Sequence, residues 1–285
     1  MNWVVQTLNG ISMGALLFLL ASGFTITFGL ARVVNLAHGA FYLLGGYMGL
    51  TILWVTKSFW LALLAGGLSI VVLNYFCERY LIRKTQGNEL GQVLLTVGIV
   101  YVIADIALVI WGGNPLRIAQ PEIARGSIDL PFGIVYPRYR FLLILFGIII
   151  GAGQWLLYRK TQLGAIVRAG VDNRETVGAM GINIDRLLAM VFAFAAFLAG
   201  MSGVAGGAFL TVYPGAEWDI LVLALVVVIV GGLGSLEGAM VGSLIVGLVD
   251  AYGRWLLPEF SYFVVFGPMA VLLLFRPTGL FGREV

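Results

Sequence analysis

In the stretch NLAHGAF, residues 35–41, an Asn, the chain's single His and a Gly break a long apolar run. Asp105 lies inside YVIADIALVI, and Glu237, Asp250 and Arg254 also fall within or beside apolar segments. A charge near the bilayer centre costs at least about 2.5–3.5 kcal/mol on insertion scales, so such groups face a cavity or a partner. Asp250 and Arg254 stand four residues apart, the spacing at which opposite charges pair on one helix. Asp105 suits either a hydrogen bond between helices or the wall of a cavity. Asn35 can cap a helix by taking up an orphan N–H, which puts His38 one turn later, within reach of a neighbouring helix. The same break can also set a half-helix amino terminus inside the membrane, where its partial positive charge suits a carboxylate.

Catalytic chemistry lacks its parts. With one His and one Cys, the chain offers neither a metal cluster nor a Ser-His-Asp set, and no HExxH or CxxC occurs. Lys84 and Lys160 each precede Thr but lack the glycine that a phosphate loop requires. We expect no catalytic residue, no metal and no cofactor bound by this chain.

The elements that must position these groups are spelled out by composition. Hydrophobic residues make up 60% and charged residues 11%, with a mean hydropathy of +1.00, against roughly 25% charged in a soluble domain. The fold class expected is all-α, a polytopic transmembrane bundle of about eight or nine spans with Gly-interrupted helices and the character of an internal repeat. One domain covers residues 1–285. Apolar windows place spans near 8–31, 33–56, 58–78, 90–113, 141–158, 188–213, 219–233, 238–257 and 259–275. Polar loops fall at 79–89, 114–140 and 159–187. The first Lys or Arg is Arg32, so the first span reads as an uncleaved helix rather than a signal peptide.

Loop charge sets orientation. With the amino terminus outside, the inner side holds eleven basic residues: Arg32, Arg79, Arg83, Lys84, Arg159, Lys160, Arg168, Arg174, Arg186, Arg276 and Arg283. The outer side holds six: Lys57, Arg117, Arg125, Arg138, Arg140 and Arg254. Such a bias accounts for the net charge of +3 without a nucleic-acid partner.

Gly occupies 39 of 285 positions and falls at helical spacing. Gly234, Gly238 and Gly242 form one row, Ser235, Ala239, Ser243, Gly247 and Ala251 the next, and Ala195, Ala199, Gly203 and Gly207 another. Lipid tails supply no hydrophobic drive between helices, so small residues let backbones approach for dispersion contact. The stripes read as static packing or as sliding and pore-lining faces. Gly-rich breaks in both halves, NLAHGAFYLLGGYMG and VGGLGSLEGAMVG, point to a translocation region. The expected pathway set is Asn35, His38 and Gly39, with Gly231, Gly232, Gly234 and Gly238, and Asp105 from mid-span. The loop at 159–187 alternates Ile166, Val167, Val171, Val177, Met180 and Ile182 with charges, as short amphipathic helices broken near Gly170 and Gly181. Such helices lie on the membrane interface or dock in a partner's groove.

Taken together, GLARVVNLAHGAFYLLGGY (29–47), LGAIVRAGVDNRETVGAMGIN (163–183), VGGLGSLEGAMVGSLIVG (230–247) and LLFRPTGLFG (273–282) resemble the permease subunits of branched-chain amino acid ABC importers, the Liv type. The resemblance implies that the 159–187 loop couples to a cytoplasmic ATPase, with Gly164, Arg168, Ala169, Glu175, Ala179, Gly181 and Asn183 at the matched positions; Gly178 departs from the bulkier or Ala-like residue expected there. It further implies a second related permease subunit, two ATPase subunits that bind ATP and Mg, a periplasmic solute-binding protein, a bacterial inner-membrane location and transport by alternating access. Similar permeases move urea or short amides. An ion-driven carrier and a membrane anchor for an enzyme are the readings from other classes.

Overall fold

The computed structural model describes residues 2–31, 35–85 and 87–282. Arg32 and Arg283 of the charge count, and the Val33 start of the second expected span, lie outside the described residues. Among the described residues, nine apolar helices follow one another in the order that the hydropathy predicts. They are α1 (Asn2–Ala31), α2 (Ala37–Thr56), α3 (Phe59–Tyr80), α4 (Glu89–Trp111), α5 (Arg138–Lys160), α8 (Ile184–Phe209), α9 (Ala216–Gly231), α10 (Leu236–Leu256) and α11 (Ser261–Phe275). Seven are long and apolar enough to cross a membrane. With 16 residues, α9 is about 24 Å long and falls short of a full crossing of about 30 Å. The two remaining helices, α6 (Gln162–Asp172) and α7 (Arg174–Ala179), lie between α5 and α8.

Polar residues between the apolar runs start many of these helices by taking up an orphan backbone N–H. The Asn88 side chain accepts from Gly91 N at 2.9 Å, Asn183 from Arg186 N at 2.9 Å and Ser235 from Gly238 N at 3.0 Å. Asn173 does the same for α7, accepting from Thr176 N at 3.0 Å. The expected break near Gly170 falls three residues on, at Asn173, with φ −153° and ψ 105°. Gly170 sits inside α6 with its Cα facing Leu30 of α1. At Gly181 the backbone does turn, with φ +82°.

Burial separates centre from rim. Over their apolar windows α1 is 78% buried and α8 72%, against 28% for α4 and 22% for α5. α1 packs against α10, α8, α5 and α9, while α8 also packs against α2 and α3. Glycines make these crossings. Gly45 of α2 faces the backbone of Gly200 on α8, Gly203 faces the Tyr42 carbonyl, and Gly247 of α10 faces Gly10 and Gly14 of α1. Gly231 and Gly238 abut across the α9–α10 turn, and Gly242 meets the Val227 carbonyl. The glycines of the two Gly-rich stretches thus lie mostly inside continuous helices, and the chain breaks in the turns beside them.

The all-α reading omits one feature inside the 114–140 loop. Strands β1 (Ser127–Leu130) and β2 (Ile134–Pro137) pair antiparallel, Ser127 opposite Pro137 and Leu130 opposite Ile134. Two Ile-x-x-type runs around Pro131–Gly133 satisfy each other's backbone at the edge of the bundle. The segment before them is fixed by Leu116 pairing with Val212 and by Ile118 N donating to the Gly207 carbonyl at 3.2 Å.

The bundle has two unlike ends. One gathers the start of α1, the hairpin, residues 210–215 and the end of α10, tied by the Thr7 and Tyr252 hydroxyls at 2.6 Å and by Trp3 edge-on to Trp255. The other gathers α6, α7, the α9–α10 turn and residues 276–282, where Leu280 N and Phe281 N each donate at 2.9 Å to the Val230 and Gly231 carbonyls.

If the crossings rest on backbone contact, Gly203→Val, whose new carbon would run into the Tyr42 carbonyl, will destabilise the bundle by at least about 1–3 kcal/mol. Gly98→Ala on α4, where nothing stands within 4 Å, will be neutral or mildly stabilising. Thermal unfolding in detergent, followed by tryptophan fluorescence, separates the two; equal midpoints would refute the packing argument.

Candidate functional site

Polar residues near the ends of four helices converge on one opening. α1 contributes Gln6 and Asn9, α5 contributes Arg140, α9 contributes Asp219, and α10 contributes Asp250 and Arg254. Together they ring a cavity of about 820 Å³ at the end that holds the start of α1. Its apolar walls come from Met13, Ile220, Leu223, Val265 and Phe266, and Trp218 and Tyr213 stand beside the α9 start. A concave, mostly apolar wall with a few polar groups is the usual form of a small-molecule site.

The charges in this cavity are not equivalent. Asp250 is buried, and Arg254 Nε lies 2.9 Å from each of its carboxylate oxygens, so the expected i, i+4 pair forms. Asp219 accepts from the Tyr213 hydroxyl at 2.7 Å. Arg140 donates to the Asn9 side-chain oxygen, and its guanidinium carbon lies 5.7 Å from the Tyr136 ring centre and 5.3 Å from that of Phe209. Sequence reasoning counted Arg140 among the loop charges and did not single out Asn9 or Asp219. These positions span residues 9–219 with no local motif; their shared signal is only a polar residue within one to three turns of a helix start.

The residues expected on the pathway are placed elsewhere and do not share one cavity. His38 is buried, its Nε2 donating to the Leu20 carbonyl of α1 at 3.0 Å, with Phe24 edge-on at 5.5 Å. Asn35 accepts from Ala37 N at 3.2 Å and lines a small cleft of about 80 Å³ at the opposite end, with Glu78, Gln92, Thr96 and Arg174. Gly39 lies against the Glu217 carbonyl and Leu221, a contact between α2 and α9. Gly231 and Gly238 face each other, Gly232 (φ +102°) meets Gly282, and Gly234 (φ +80°) meets Gly29. Asp105 lies on the exposed face of peripheral α4 and lines neither cavity. Glu237, in the first turn of α10, pairs with Arg159 of α5 at 2.7 Å. Among the described residues no three His, Cys, Asp or Glu side chains converge as a metal site.

The residues matched in the 159–187 loop divide into two groups. Gly164 packs on the Leu157 and Tyr158 carbonyls, and the Arg168 guanidinium lies 5.2 Å from the Tyr158 ring centre. Val167 joins Leu30, Ile82, Leu187 and Leu188 in an apolar cluster, and Val177 of α7 is also buried. Ala169, Glu175, Ala179, Gly181 and Asn183 are exposed, as is Met180 beside them. α6 and α7 are thus keyed into the bundle on one side and bare on the other. At the same end, Arg83 bridges the buried Glu78 carboxylate at 3.1 Å and Asp185 at 3.5 Å, tying α3 to the start of α8.

Residues 6–273 match the family described as branched-chain amino acid transport system, permease component. Similar proteins include the high-affinity branched-chain amino acid transport system permease protein BraD of Pseudomonas aeruginosa, 26% identical over 99% of this chain and 96% of that one. The corresponding LivH of Escherichia coli is 26% identical over 98% of this chain and 95% of its own length. The ribose import permease protein RbsC of Escherichia coli is 26% identical over 64% of this chain and 58% of its own. No solved structure matches.

For His38, whose observed bond is to a neighbouring helix, His38→Phe is expected to lower unfolding free energy by about 1 kcal/mol and to leave a folded, monodisperse protein. A detergent thermal melt with size exclusion measures both; an unchanged midpoint would show that the bond to Leu20 does not hold α2 to α1.

Proposed function

This chain belongs to the family of permease components of branched-chain amino acid transport systems, and we propose that it forms half of the membrane pathway of an ATP-driven importer for branched-chain and other hydrophobic amino acids. It is a multi-pass membrane transport subunit rather than an enzyme. The other half is a second, related permease subunit. Two cytoplasmic ATPase subunits bind ATP and Mg, and a periplasmic binding protein delivers the solute to the cavity end.

The observation that carries this reading is the opposition of the two ends. The 820 Å³ cavity opens at one. At the other, α6 and α7 bury Val167, Gly170 and Val177 while leaving Ala169, Glu175 and Ala179 bare. A helix pair fixed to the bundle on one face and exposed on the other fits a partner's groove. Basic residues support the matching orientation. Arg79, Arg83, Lys84, Arg159, Lys160, Arg168, Arg174, Arg186 and Arg276 lie toward the α6–α7 end, nine among the described residues, against six toward the cavity end. The positive end is the cytoplasmic one, so the amino terminus is outside and the carboxyl terminus inside, in a bacterial inner membrane.

Closure of the ATPase pair pushes on α6 and α7, and the clustered contacts of Val167 with Leu30, Leu187 and Leu188 pass the displacement to α1 and α8, the two central helices. Rocking of these halves closes the outer cavity and opens a path inward. The glycines at Gly231, Gly232, Gly234 and Gly238 serve as the close-packed surfaces that move as one body, with Asn35 at the inner cleft.

The test is uptake of labelled leucine and of urea by proteoliposomes holding the reconstituted complex with ATP inside. We expect leucine uptake that needs every component. Urea uptake alone would change the substrate, and ATP-independent uptake by this chain would overturn the mechanism. Within the same assay, Glu175→Lys is expected to cut leucine uptake at least about tenfold by placing the wrong charge in the partner's groove, while thermal stability holds, because Glu175 is exposed. Normal uptake by that variant would remove α7 from the coupling surface.

A further inference from the structure

Four charged side chains line the outer cavity: Arg140, Asp219, Asp250 and Arg254. Asp250 and Arg254 neutralise each other at 2.9 Å. Arg140 is held instead by neutral groups, the Asn9 side-chain oxygen on one side and the faces of Tyr136 and Phe209 on the other. Among the described residues no carboxylate pairs with it. A guanidinium carries five N–H donors in a planar fork, and Asn9 takes up part of that fork.

The holders are themselves fixed. Tyr136 is almost fully buried at 1% exposure, and its hydroxyl lies 3.2 Å from that of Ser12 on α1. Aromatic faces stabilise a cation without neutralising it. Arg140 is therefore a preorganised cation whose counter-charge is missing, set in the wall of a cavity large enough for a small solute. The nearby apolar surface of Met13, Phe209 and Ile220 suits an aliphatic side chain, and Asp219 supplies a negative charge that no arginine pairs with among the described residues.

We propose that Arg140 binds the α-carboxylate of the amino-acid solute in the outer cavity. The inference rests on the transport reading above and adds the group that orients the solute. Forked N–H donors match a carboxylate in two parallel hydrogen bonds, which an ammonium cannot reproduce. Arg140 is only half-buried, so the bond stays exchangeable with water. A transported solute has to leave as well as enter.

The experiment uses the assembled complex in proteoliposomes, with wild-type, Arg140→Gln and Arg140→Lys chains. Labelled-leucine uptake and ATP hydrolysis stimulated by the binding protein are measured side by side. Arg140→Gln is expected to lower uptake by about tenfold or more while stimulated hydrolysis stays within about twofold, with Arg140→Lys intermediate. Uptake equal to wild type in Arg140→Gln overturns the proposal. Parallel loss of uptake and stimulated hydrolysis also overturns it, since the arginine would then serve docking of the binding protein. Should the Gln variant fail to assemble, the Lys variant decides, and a wild-type ratio of uptake to hydrolysis there rejects the forked carboxylate bond. Failure of the broader reading shows separately, as a wild-type complex that takes up no leucine.

Discussion

Close approach of one helix backbone to another is the interaction on which this molecule depends. In hydrocarbon, neither water nor hydrophobic exclusion holds helices together, and each backbone satisfies its own hydrogen bonds. What remains is dispersion, which falls steeply with distance. Gly10, Gly14, Gly45, Gly200, Gly203 and Gly247 bring α1, α2, α8 and α10 to that distance. The central pair α1 and α8 is consequently almost enclosed, and α4 and α5 are left to face the rim.

A core assembled this way has little room for charge, and among the described residues the ion pairs stand toward the two ends. At the cavity end, Arg140, Asp219 and the Asp250–Arg254 pair stand near helix ends around the opening. At the opposite end, Glu78, Arg83 and Asp185 link α3 with α8, and Arg159 and Glu237 link α5 with α10. Inside the bundle, side chains bond to neighbouring carbonyls, as His38 does to Leu20 and, nearer the cavity, Tyr139 to Ala205. The described residues thus divide into a polar mouth, an interior without ion pairs and a cross-linked base.

Much of the fold was legible because membrane insertion writes itself into hydropathy. All nine apolar segments appear in order, whereas the caps that start α4, α8 and α10, at Asn88, Asn183 and Ser235, emerge only in the structure. The hairpin at 127–137 was hidden because its strands are four residues each, too short for a period of two to stand out. Asn173 outcompeted Gly170 as a breaker because a side-chain cap rewards the break, whereas a glycine packed on Leu30 is more useful inside the helix. The candidate site was far less legible. Small residues are needed both to line a pore and to join helices, so Gly39 and Gly238 read alike for either purpose. The outer cavity draws its polar residues from α1, α5, α9 and α10, and only their meeting in space reveals them.

The α1 contacts also carry a meaning for how the chain is made. The faces around Gly10 and Gly14 are completed by α10, and Gly23 is completed by Ala195 of α8. More than two hundred residues separate the end of α1 from the end of α10. At a synthesis rate of roughly 5–20 residues per second, the first helix waits on the order of ten seconds or longer for its last neighbour. During that interval its glycine faces lie against lipid or against the insertion machinery. Biogenesis of this protein is therefore a problem of holding one early helix in place until a late one arrives.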